Sequence, residues 1–116
     1  MNLAEAAKQI TKESGHYTGG AIQLFERVGR DSFVTLIQHG LLPQHTLLDF
    51  GAGCLRLGYW FVRFLDMGKY YAIEPSAAML DAGKKYLLGA EVLTYKSPDF
   101  LVSAKCDMTN FGVPFN

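Results

Sequence analysis

The chain has 116 residues, of which 49% are hydrophobic, and this content suffices for one packed domain rather than a disordered segment. Eleven lysine and arginine residues balance eleven acidic residues. No overall positive field therefore favours nucleic acid or an anionic membrane as a partner, and a small, nearly neutral substrate fits this charge balance better.

Neither targeting segments nor membrane spans are predicted. The amino-terminal stretch has Glu5 early and lacks the apolar run of a signal peptide. Residues 59–65 form the longest apolar stretch, but Arg63 interrupts it and it is too short to cross a bilayer. Cys54 and Cys106 match no zinc or CxxC spacing, so we expect unpaired thiols and no metal site. These features predict a cytoplasmic protein.

Residues 1–44 predict an amino-terminal helical segment. A first helix is expected over residues 3–12, followed by a glycine-rich break around His16 and Tyr17. Those two residues fit either a lid over a ligand or a simple surface loop. Further along, Gly29 is expected to separate a second helix from a third one, which ends at Gly40 with Asp31 or Ser32 as its cap.

Residues 45–116 predict strands that alternate with helices. Buried strands are expected at 47–50, 70–73 and 100–103, with helices at about 55–65 and 76–88 between them. This order is typical of an α/β fold with a parallel sheet and helices on both faces. We therefore predict a partial, Rossmann-like domain that stops after about three strands.

A glycine turn directly follows the first predicted strand. Asp49 ends that strand, and Gly51 and Gly53 permit backbone conformations that a side chain would block. A helix beginning near Leu55 would direct its free N–H groups at a ligand in the turn. Glu74 ends the next strand, so both acids are expected at the carboxyl edge of the sheet, where such folds bind ligands. Glu74 fits either an acceptor for ribose hydroxyls or a structural role, as a solvated strand end or as the partner of the helix start at Ser76.

Arg56 occupies the third-glycine position of the dinucleotide pattern GxGxxG, which argues against a pyrophosphate ligand. Its side chain is expected either to be solvated at a helix start or to pair with Asp49 or with a ligand carboxylate. Cys54, beside the same helix start, fits a packed small residue better than a reactive thiol.

The glycine turn and the second strand resemble the cofactor half of the class I S-adenosylmethionine-dependent methyltransferases. LLDFGAG at residues 47–53 is similar to the first motif of that family, DxGxG, and YYAIEPS at residues 70–76 is similar to its acid-ended second strand. The resemblance implies S-adenosylmethionine as cofactor, with the turn near the methionine part and Glu74 on the ribose. The implied cofactor-binding residues are Asp49, Gly51, Ala52, Gly53, Glu74 and Pro75.

The chain departs from the family pattern at two places. Leu55 stands where a third motif glycine is common, and Asp107 is the nearest acid to the position expected beside the adenine. The resemblance covers only about the first half of the family domain, so the sequence is expected to be a fragment or a truncated product. It names no catalytic residue and no methyl acceptor.

Two other functions remain open. A half-domain of this kind would leave the first strand with an unpaired edge, which favours a non-catalytic chain that associates with itself or with a partner carrying the missing half. A fragment of a nicotinamide-dependent oxidoreductase is the third possibility, and Arg56 disfavours it.

Overall fold

The three predicted strands form one parallel sheet in the computed structural model, which describes residues 1–15, 22–105 and 108–111. The strands are β1 (Leu47–Phe50), β2 (Tyr70–Glu74) and β3 (Asp99–Val102). They lie in the order β1-β2-β3, with both pairs parallel. Within the described part of the chain, β1 pairs with β2 alone. The prediction of a mixed α/β fold with a three-stranded parallel sheet is therefore confirmed.

Helices precede the sheet and connect its strands. They are α1 (Leu3–Ser14), α2 (Phe25–Gln38), α3 (Gly58–Phe64), α4 (Ala77–Gly83) and α5 (Gly89–Lys96), with a π-helical turn at Lys84–Leu88 and 3₁₀ turns at Ile22–Leu24 and Met108–Phe111. The first helix begins with a capping box: the Asn2 side chain accepts from the Glu5 N–H, and the Glu5 carboxylate accepts from the Asn2 N–H.

One face of the sheet forms the core with the helices. Leu47 pairs in register with Tyr70, and Ala72 with Phe100, so these side chains share a face. All four pack in the same cluster as buried residues of α1 to α4. On the opposite face the Tyr71 ring contacts Phe111. Helices on both faces were expected; α1 to α4 pack on the face of Tyr70, and the 3₁₀ turn Met108–Phe111 contacts the other face.

The amino-terminal helices share the core of the sheet. Ala6, Ala7 and Ile10 of α1 and Phe25 of α2 are buried in the same cluster as Tyr70. Residues 1–44, predicted as a separate helical segment, therefore pack directly on the α/β part. The lid residues His16 and Tyr17, and likewise Cys106 and Asp107, lie outside the described residues.

The helix boundaries correct the sequence predictions. Gly29 does not interrupt a helix, because α2 runs unbroken from Phe25 to Gln38 with Asp31 and Ser32 in its interior. The helix after β1 begins at Gly58 rather than near Leu55. The helical segment after β2 was expected to end before Gly89, but a further helix, α5, begins at Gly89 and runs to Lys96.

Over the described ranges, no helix is both long and apolar enough to cross a membrane.

Candidate functional site

The turn after β1 contains three left-handed residues at alternate positions. Gly51 has a φ of 77°, Gly53 a φ of 58° and Leu55 a φ of 67°. The two glycines adopt this conformation without steric cost, whereas a side chain there costs roughly 1–2 kcal/mol. Leu55 is fully buried, and burial of a leucine side chain supplies about 1.5–3 kcal/mol. The left-handed Leu55 explains why α3 begins only at Gly58.

The backbone donors of the turn are bonded within the protein. The N–H groups of Gly51 and Ala52 both donate to the carbonyl oxygen of Ile73, at 2.8 and 3.1 Å. The Gly53 N–H donates to Glu74 Oε1 at 2.8 Å. These three residues therefore offer no free N–H group to a ligand, since each already donates to an acceptor in β2.

Glu74 joins the glycine turn to the start of α4. While Oε1 accepts from Gly53, Oε2 accepts from the Ser76 N–H at 2.7 Å. Ser76 in turn caps α4 by accepting from the Met79 N–H. The Glu74 side chain is buried, with 8% of the residue exposed. Two backbone donors, one of them at the helix start, thus hold the buried carboxylate against the turn, and the bond to Ser76 is the structural role that the sequence left open for Glu74.

The Asp49 carboxyl group is hydrogen-bonded to Tyr70, which was not predicted to be part of the site. The Tyr70 hydroxyl donates to Asp49 Oδ2 at 2.6 Å. Burial raises the pKa of Asp49, the Tyr70 hydrogen bond lowers it in part, and the negative charge of Glu74 raises it. Burial and the neighbouring Asp49 charge raise the pKa of the Tyr70 hydroxyl well above its usual value. The hydroxyl is therefore a fixed donor at neutral pH.

A small cavity of about 130 Å³ opens at the turn. Its lining residues are Asp49, Gly51, Ala52, Gly53, Cys54, Arg56 and Leu57. This volume is below the roughly 300 Å³ at which small-ligand pockets begin, so a nucleoside would extend beyond it. Glu74 and Pro75 do not line the cavity, and Pro75 is exposed. Four of the six predicted site residues therefore line the cavity, and a fifth, Glu74, is hydrogen-bonded to Gly53. The sixth, Pro75, follows Glu74 in the chain and lies outside the cavity lining.

Glycines in three helices allow those helices to approach the turn closely. A Cβ atom on Gly83 would lie 2.1 Å from the Cys54 carbonyl oxygen, and one on Gly29 would lie 2.8 Å from that of Arg56. On Gly58 it would lie 2.8 Å from the Tyr70 hydroxyl oxygen. The close packing at these three glycines was not predicted from the sequence, although a glycine within an otherwise helical pattern is a signal for it.

Cys54 and Arg56 also line the cavity at the turn. Cys54 is a free, buried thiol whose pKa is raised by burial, so it is a packed side chain rather than an activated nucleophile. Arg56 lines the same cavity as Asp49. In the ranges that the structure describes, no three His, Cys, Asp or Glu side chains lie close enough to hold a metal ion.

Comparisons with known proteins give no relative: no protein-family model, no curated protein and no solved structure matches this chain.

Proposed function

We propose that this chain is the cofactor-binding part of an S-adenosylmethionine-dependent methyltransferase with a Rossmann-like fold. One observation supports the proposal above all others: the buried Glu74 carboxylate lies 2.8 Å from the Gly53 N–H of the glycine turn. An acid at the end of the second parallel strand can accept hydrogen bonds from ribose hydroxyls, because each carboxylate oxygen has a second lone pair. The turn then adjoins the methionine part of the cofactor.

The bonding of the turn favours an adenosyl ligand over a dinucleotide. A pyrophosphate is bound by free backbone N–H groups after the first strand, whereas here Gly51, Ala52 and Gly53 all donate within the protein. Asp49 lines the same cavity, and its carboxyl group can pair with the positive ammonium group of S-adenosylmethionine.

Methyl transfer from a sulfonium ion to a nucleophile is an in-line displacement that needs alignment of the two reactants. Proximity and orientation alone contribute about 7–11 kcal/mol to such reactions. The described residues supply the cofactor side of that alignment. The acceptor we propose is a small molecule, in line with the zero net charge.

Calorimetric titration of the chain with S-adenosylmethionine, S-adenosylhomocysteine and NAD tests the proposal. We expect saturable binding of the first two ligands and none of NAD. In Glu74→Gln the charged acceptor is lost while the side-chain shape is kept, so adenosyl affinity should fall by about 1.5–3 kcal/mol.

The matched control is Glu91→Gln, which removes an exposed glutamate of α5 and should leave the affinity unchanged. Thermal unfolding of each variant shows whether the fold persists. Equal binding by the parent chain and a folded Glu74→Gln variant would reject the ribose role, and indifference of the parent to both adenosyl ligands would reject the cofactor site.

A second candidate function is association through the free edge of β1. In the described residues β1 has a partner strand on one side only, and Phe50 at its end is 57% exposed. An unpaired edge beside an apolar side chain favours pairing with another chain. Sedimentation velocity should show concentration-dependent association that Phe50→Lys weakens, while Tyr95→Lys, at an exposed site on α5, has no effect. A monomer at all concentrations would contradict this.

A further inference from the structure

A second and larger cavity lies among the helices. Its volume is about 440 Å³, within the range typical of small-ligand pockets. It shares no lining residue with the cavity at the glycine turn. The charged and aromatic side chains in its wall are Glu26, Tyr59, Trp60, Arg63, Lys85 and Tyr86.

Arg63 is held in place by neutral groups. Its Nη1 donates to the Tyr59 carbonyl and its Nη2 to the Leu87 carbonyl, each at 2.9 Å. The guanidinium carbon lies 4.0 Å from the centre of the Tyr59 ring. No acidic side chain of the described residues forms an ion pair with Arg63. Burial of part of the side chain lowers its pKa, although the residue as a whole is exposed.

The other charges in the cavity wall are already paired. Lys85 Nζ lies 3.3 Å from Glu13 Oε1, and Glu26 Oε1 lies 3.7 Å from Arg30 Nη1. Among the charged side chains of the wall, Arg63 is therefore the one without an ion-pair partner in the described residues. Two of the five guanidinium N–H groups are used by carbonyls, which leaves the others for an anion.

Three aromatic rings, those of Tyr59, Trp60 and Tyr86, line the same cavity as the Arg63 guanidinium. Tyr59 and Trp60 pack edge to face with their ring centres 5.1 Å apart, and Trp60 also stacks on Phe33. Tyr86 lines the same cavity, and its hydroxyl donates a hydrogen bond to Glu13 Oε1. Such rings offer faces and edges against which a further planar ring packs favourably.

We propose that this cavity binds a small aromatic carboxylate, whose carboxylate contacts the Arg63 guanidinium and whose ring packs against Tyr59, Trp60 and Tyr86. The planar guanidinium fork matches a carboxylate geometrically. An uncharged aromatic compound would only pack against the rings, and an aliphatic carboxylate would only form the ion pair with Arg63.

Fluorescence of Trp60 reports directly on this cavity, because the chain has a single tryptophan. We expect a saturable change when the full chain is titrated with phenylacetate. Phenylacetamide, which keeps the ring but lacks the charge, should bind at least about tenfold more weakly, since hydrogen bonds to charged groups are the stronger ones. Acetate at the same concentrations should give no saturable change.

Substitution of the guanidinium provides the second arm of the test. Arg63→Ala should weaken phenylacetate binding at least about tenfold, and Arg63→Lys should restore part of it. The matched control is Arg27→Ala, because Arg27 pairs with Asp31 outside the cavity. Equal affinity for phenylacetate and phenylacetamide would overturn the proposal, and this comparison needs no variant to fold. Parent-like affinity in Arg63→Ala would overturn it as well.

Discussion

The surroundings of the Asp49 carboxyl group disfavour its charged form. Burial and the nearby Glu74 charge raise its pKa, and the Tyr70 hydrogen bond only partly opposes this. An unfolded aspartate ionises near pH 3.9. As the pH rises through that region, the unfolded chain releases this proton before the folded chain does, so the contribution of Asp49 to the free energy of unfolding falls.

Asp49→Asn should therefore change the pH dependence of stability. The amide still accepts from the Tyr70 hydroxyl but carries no charge, so the variant gains stability relative to the parent as the pH rises above about 4. Urea unfolding of both proteins at several pH values measures the difference. Asp99→Asn, at an exposed site on β3, controls for loss of a surface charge. Parallel pH profiles for Asp49→Asn and the parent would contradict the shifted pKa.

The Asp49–Tyr70 bond shows what a single sequence leaves open at the residue scale. Glu74 was predicted at the sheet edge because it follows a recognisable strand. Tyr70 was not assigned to Asp49, because their contact depends on the strand register. In that register Leu47 pairs with Tyr70. Asp49 follows Leu47 by two residues on β1, so it shares the face of the sheet on which Tyr70 lies. The apolar pattern predicts strands but not their alignment.

At the scale of elements, the position of each helix around the turn depends on a glycine. Gly83 of α4 and Gly29 of α2 both approach carbonyl oxygens of residues 54–56 closely. Alanine elsewhere in a helix is more stable than glycine by about 0.8–1.0 kcal/mol. Here the added methyl group would meet backbone atoms that cannot rotate away.

Gly83→Ala should destabilise the protein by about 1–3 kcal/mol or more despite the gain in helix propensity. Its Cβ atom would lie 2.1 Å from the Cys54 carbonyl oxygen, against 2.8 Å from the nearest atom for Gly29→Ala. The loss should accordingly be larger at position 83 than at position 29. Chemical unfolding measures both variants, and stability equal to that of the parent in Gly83→Ala would disprove the close approach.

The elements themselves were predicted better than their ends. Strand–turn–helix order, a helix start at Ser76 and the location of all three strands followed from apolar periodicity and turn residues. The start of α3 was predicted wrongly because Leu55 adopts a left-handed conformation that only burial in the core explains. Gly29 of α2 serves a tertiary contact, whereas the local sequence pattern indicated a helix break there.

At the scale of the whole molecule, one core joins the amino-terminal helices to the sheet. Ile10 of α1 and Tyr70 of β2 belong to the same buried cluster, so the geometry of the glycine turn depends on both parts of the chain. The sheet presents its carboxyl edge, with Asp49 and Glu74, at one end of this core. The proposed cofactor and the proposed aromatic ligand occupy cavities with no lining residue in common.

Nuclear magnetic resonance of the backbone amides during titration with S-adenosylhomocysteine tests the central claim most directly. We expect the N–H resonances of Gly51, Gly53 and Ser76 to shift with one shared saturation curve, because these groups lie beside Asp49 and Glu74 at the sheet edge. The indole N–H of Trp60, in the other cavity, should stay unchanged. A titration that leaves the glycine resonances in place, or shifts only the indole, would contradict an adenosyl site at this turn.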